Sequence, residues 1–84
     1  MRYEYKTSGV CSRKIIFDLE GDVVTHMEVE GGCHGNLQGI CSLVKGMTAE
    51  EIYQRLAGIR CGMKPTSCPD QIARAVRDAV ASQQ

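Results

Sequence analysis

Apolar and polar positions alternate along the first third of the chain and recur at helical spacing along the rest. Residues 2–6, Arg-Tyr-Glu-Tyr-Lys, alternate strictly and predict a short strand at a sheet edge. A turn at Thr7-Ser8-Gly9 follows. Residues 13–20 then set Ile15, Phe17 and Leu19 on one face, with mostly polar groups on the other. Residues 23–30 repeat the pattern, and Val23, Thr25, Met27 and Val29 are expected to face inward. Between them, Gly21-Asp22 fits a two-residue hairpin, since glycine accepts the positive φ that such a turn needs at its first position.

Beyond Val29 the period changes. The stretch Gly31 to Asn36 ends the third strand and enters a helix on which Leu37, Ile40, Cys41 and Val44 recur, with Gly46 as the stop. Thr48-Ala49-Glu50-Glu51 is a capping box, and Met47 and Ile52 are placed for a hydrophobic staple. The helix it opens is expected to turn Ile52, Leu56 and Ile59 inward. A last helix spans about Pro69 to Ala81 and buries Ile72, Val76, Ala79 and Val80. Pro69 suits a first helical position, which leaves Ser67 or Cys68 as the cap and Asp70 in the first turn, where the helix dipole favours negative charge. Tyr3, Tyr5 and Tyr53 are read as packing residues and His26 as a surface residue. Strands come first and helices after. The expectation is an α+β domain over residues 1–84: a small antiparallel three-stranded sheet followed by three helices packed on one face. A chain of 84 residues sustains one modest two-layer core and not a second.

Charge narrows the function classes. Ten basic and ten acidic residues cancel, and no run of Lys or Arg is longer than Arg13-Lys14. No electrostatic footprint for nucleic acid or an anionic membrane is expected. No apolar stretch approaches the ~20 residues of a membrane span, and residues 1–6 lack the apolar run of a signal peptide. The chain is expected in the cytoplasm. Against that background, five cysteines are the abnormal number. Cytosolic cysteines stay reduced, and clusters of them bind metal or act catalytically more often than they form disulfides.

Four of the five share a setting. Cys11, Cys33, Cys61 and Cys68 are each flanked by turn residues at the end of an element, where sites are usually built. Cys33 and Cys68 each precede or open a helix, where the dipole and free backbone N–H groups stabilise a thiolate. Four thiolates can complete a tetrahedral site, for which zinc is the default metal. The competing reading is that these are small apolar residues, because free cysteine is among the most buried residue types and no Cys-x-x-Cys knuckle is present. Cys41 falls on the apolar stripe of its helix and is read as core. His34, directly after Cys33, is a further candidate ligand or base. A dithiol relay between Cys61 and Cys68 is another use of the same residues. The glycines around Cys33 have neither the Walker lysine nor dinucleotide-fingerprint spacing.

Thr66-Ser67-Cys68-Pro69-Asp70 spells the name-giving motif of the TSCPD domain family. The resemblance extends through Gly9-Val10-Cys11-Ser12, Gly31-Gly32-Cys33-His34-Gly35-Asn36-Leu37 and Gly58-Ile59-Arg60-Cys61-Gly62, and so covers nearly the whole chain. The chain resembles the small stand-alone branch with four cysteines. Related segments form the C-terminal part of cobalamin-dependent ribonucleotide reductases, so the resemblance implies an accessory to such a reductase. These 84 residues have no room for the radical-generating barrel or its nucleotide and cobalamin sites, and no self-contained active site is expected. The order of elements is also similar to NifU-like iron–sulfur scaffold proteins, with Cys11, Cys33 and Cys68 at the positions of the three scaffold cysteines. That second resemblance implies an iron–sulfur cluster as the alternative to zinc, and a cysteine desulfurase as the alternative partner. Two departures stand out: Arg13 replaces the scaffold's aspartate two residues after the first cysteine, and Ser67 replaces the polar ligand before the third.

Overall fold

A computed structural model describes residues 1–7, 12–31, 34–60, 62–63 and 65–83, with Ser12 and His34 described by backbone alone. Strands β1 (Arg2–Lys6), β2 (Ser12–Glu20) and β3 (Val23–Gly31) precede helices α1 (His34–Val44), α2 (Ala49–Leu56) and α3 (Cys68–Ser82). The strands form an antiparallel sheet in the order β1-β2-β3. Register sets Tyr3 against Phe17 and Tyr5 against Ile15 on one side, and Met27 against Phe17 and Val29 against Ile15 on the other. This is the inward face. Ile15, Phe17, Leu19 and Met27 meet Val44, Ile52, Ile72, Val76 and Ala79 of the helices in one core. Tyr3 stacks on Phe17 with ring centroids 5.6 Å apart, and Tyr53 lies under the Arg77 guanidinium, as packing residues should. On the outward face Arg2 pairs with Asp18 at 3.2 Å and Lys14 with Glu4 at 3.0 Å. His26 lies half exposed there, 3.2 Å from Glu28.

The turns follow the sequence chemistry. Gly21 takes φ +64 in the two-residue hairpin between Glu20 and Val23. The Thr48 side chain accepts from Glu51 N–H, and the Glu51 carboxylate accepts from Thr48 N–H at 3.1 Å, which completes the capping box.

Two expectations about burial change. The register shifts between Asp18 and Leu19, so that Asp18 faces His26 but Leu19 faces Val24. Thr25 is therefore the extra residue of a β-bulge, and its hydroxyl donates to the Asp18 carbonyl at 3.4 Å. Val24, not Thr25, enters the core, with 0% exposure. Val24 also ties the start of β3 to the α1–α2 connection, its N–H donating to the Met47 carbonyl at 2.9 Å and its carbonyl accepting from Gly46 at 2.8 Å. The second change is Ile59. Helix α2 stops at Leu56, and Ile59 lies beyond it, 42% exposed rather than inward.

Candidate functional site

The connection from α2 to α3 is closed on itself by the residues around Cys68. Ala57 leaves the helix in an extended conformation, its N–H still donating to the Tyr53 carbonyl at 2.9 Å. Gly58 then adopts φ +86, a region that glycine enters without steric cost. At the far end Ser67 is extended (φ −148, ψ 171) and caps α3, its Oγ accepting from Asp70 N–H at 3.2 Å. The open choice of cap is thus Ser67, with Cys68 the first residue of the helix and Pro69 directly after it.

Two hydrogen bonds span the loop. Ser67 Oγ donates to the Ile59 carbonyl at 2.7 Å, and Gly58 N–H donates to Asp70 Oδ1 at 2.7 Å. Asp70 is wholly buried. Its Oδ2 accepts from the Thr66 hydroxyl and from Arg74 Nε at 3.0 Å, while Gln71 Nε2 donates to Thr66 Oγ1 at 3.0 Å. Among the described residues, no buried side-chain nitrogen or oxygen lacks a partner. Burial pushes the Asp70 pKa up, yet the Thr66 hydroxyl, the Gly58 amide and Arg74 together outweigh burial. The carboxyl is held below its ordinary range. Arg74 is raised in turn, first by its hydrogen bond to Asp70 and then by the carboxylate charge.

The two described cysteines differ in kind. Cys41 packs against the core and lines a groove of ≈ 520 Å³ between β3 and α1, with Met27, Val29 and Leu37. Burial, and secondarily the charge of Glu28, push its thiol pKa up and so away from reactivity. Cys68 is half-buried, as Cys41 is, is not in a disulfide, and is the first residue of α3.

Topology brings the motif flanks to one end of the sheet. Ser12 pairs with Gly31, where β2 begins and β3 finishes, and α1 starts from there at His34. The C-terminal end of α3 lies by the Gly21 hairpin: Gln83 Nε2 donates to Tyr3 Oη at 3.0 Å, and Ser82 and Gln83 line one pocket with Leu19 and Gly21. The N-terminus of α3 is therefore turned toward the Lys6 and Ser12 end, away from the Gly21 hairpin. Cys11, Cys33 and Cys61 themselves lie outside the described residues, and so does the side chain of His34. Among the described residues, no three His, Cys, Asp or Glu side chains form a metal-binding group. Cys68 fits a thiolate ligand by its position and exposure. Ser67 does not fit as a ligand, because its hydroxyl is committed to Ile59 and Asp70.

Reasoning from sequence passes over Thr66 and assigns Asp70 only a first-turn role. The Asp70–Arg74 spacing of four residues was available as a signal for their ion pair. The bond to Gly58 was not, since it depends on loop closure. The family model for the TSCPD domain matches residues 1–80. No curated protein matches the chain. No solved structure matches it. No helix among the described residues is long and apolar enough to cross a membrane.

Proposed function

The chain belongs to the TSCPD domain family, and from that premise we propose that it is a small cysteine-rich metal-binding module. It holds one zinc ion through Cys11, Cys33, Cys61 and Cys68, and it serves as an accessory to a ribonucleotide reductase in the cytoplasm. The observation that carries this reading is the contrast between the two described cysteines. Cys41 packs against the core, whereas Cys68 opens a helix, in a loop crossed by two half-buried hydrogen bonds. The pairing of Ser12 with Gly31 supports it, because these residues flank the motifs of Cys11 and Cys33. Four thiolates around zinc give a closed tetrahedron, which ties loops together and leaves no open position for a substrate.

Metal and acid-labile sulfide content, measured on protein purified without oxygen or added metal, tests the reading. The expected result is about one zinc per chain, no sulfide, and lowered stability on chelation. Iron with stoichiometric sulfide would replace it with an iron–sulfur scaffold served by a cysteine desulfurase. A metal-free protein with titratable thiols would replace it with the Cys61–Cys68 relay.

A further inference from the structure

We infer that Thr66, Ser67 and Asp70 are positioning residues for the Cys68 thiol, forming a buried clamp that ties the start of α3 to Gly58 and Ile59 before any ligand binds. The inference rests on reading the Cys68 thiol as a ligand, and it concerns the residues of the motif that carry no sulfur. Capping a helix needs one bond of this network, from Asp70 N–H to Ser67 Oγ at 3.2 Å. The others do different work. Ser67 to the Ile59 carbonyl, and Gly58 N–H to Asp70, cross the loop and hold Gly58 and Ile59 against the start of α3. Thr66 and Arg74 fill the remaining acceptor positions of Asp70.

A buried carboxylate is an expensive way to join two segments. Apolar residues of similar volume often hold a core at least as well, and buried polar groups are best accounted for where they select one geometry over others. Here the selected geometry is that of Cys68, enclosed in sequence between the capping hydroxyl of Ser67 and the anchored carboxylate of Asp70. Closing a loop has an entropic cost that a metal would otherwise meet from its binding free energy. With the clamp in place that cost is met by the protein, so ligands bind a preset site. Residues that orient metal ligands in this way typically change affinity by about 10- to 100-fold when substituted.

Cobalt(II) alone is the probe, because thiolate-to-cobalt charge-transfer bands report both affinity and ligand type. The proteins compared are wild type, Asp70→Asn, Thr66→Val and Val76→Ala. The last removes core volume from α3 without touching the clamp and controls for lost stability. Asp70→Asn and Thr66→Val are expected to keep the wild-type far-ultraviolet circular dichroism and lose about 10- to 100-fold in cobalt affinity. Val76→Ala should stay within about twofold of wild type, as for a site sharing no partners with the ligands. Clamp variants that bind as tightly as wild type, or a Val76→Ala loss as large as theirs, overturn the inference. Should Asp70→Asn fail to fold, Thr66→Val decides alone. A wild type without thiolate-to-cobalt bands defeats the metal reading instead, and the clamp is then judged on metal-free protein by mass spectrometry of Cys68 alkylation. There the clamp requires several-fold faster alkylation in Thr66→Val than in wild type and Val76→Ala, and equal rates reject it.

Discussion

A carboxylate with no solvent contact remains ionised only when its lone pairs are used, and Asp70 uses them on the Gly58 amide, the Thr66 hydroxyl and Arg74. Replacing it by Asn keeps the shape but changes the donors. If the amide oxygen continues to accept from Gly58, the NH₂ group faces the Arg74 Nε–H, and two donors oppose each other. Urea unfolding of Asp70→Asn should therefore show a loss of about 1–3 kcal/mol. The pH dependence has a definite sign. The folded carboxyl lies below the ordinary Asp value of about 3.9, so its stabilisation is complete above that pH and is lost as pH falls through the lower folded value. Stability measured against pH should accordingly fall less steeply in Asp70→Asn than in wild type below about pH 4, and the difference between the two proteins should shrink there. Neither curve becomes flat. Asp18, hydrogen-bonded by Arg2, and Glu51, hydrogen-bonded by the Thr48 backbone, are also held below their ordinary values. A parallel pair of curves would mean that the Asp70 carboxyl titrates alike in the folded and unfolded chain.

The strands and helices were legible because each carries one clear period and its own stop signals. Leu37, Ile40, Cys41 and Val44 predicted α1, and the capping box predicted the start of α2 within a residue. What the period could not contain was an interruption of itself. Val23, Val24 and Thr25 all suit a strand, so strict alternation through them assigned Thr25 to the core and missed the bulge that turns Val24 inward. The bulge is testable by an exchange of near-isosteric residues. Val24→Thr places a hydroxyl in a fully buried position and should cost about 1–3 kcal/mol by denaturant unfolding. Thr25→Val, on the exposed side, should stay within about 0.5 kcal/mol of wild type. Strict alternation requires the reverse order. Ile59 failed for a related reason. Its spacing from Ile52 and Leu56 is helical, but Gly58 at φ +86 ends the path, and the Ile59 carbonyl is used by Ser67 instead of by another turn of helix.

At the scale of the whole molecule the chain divides its work between two ends. The hairpin end is closed by short turns and by the α1–α2 connection against β3, through Ala49 N–H to the Asp22 carbonyl at 2.8 Å. At the opposite end Ser12 and Gly31, far apart in sequence, meet because β2 and β3 pair, and α3 begins away from the hairpin. Sequence could propose four cysteines by their shared turn settings. It could not supply the crossing bonds of the Cys68 loop, which belong to no local period. If zinc joins the four thiolates across this end, removing any one opens the same tetrahedron. Cys11→Ser and Cys68→Ser should then lower the melting temperature of zinc-loaded protein by similar amounts, although they lie far apart in the sequence. The double variant should be little worse than either single one, because the first substitution already removes the shared interaction. In metal-free protein the single variants should melt with wild type, and Cys41→Ser should lower both forms equally, since its loss is one of packing. Additive losses from Cys11 and Cys68, persisting without metal, would assign those residues to separate structural roles and leave no common site.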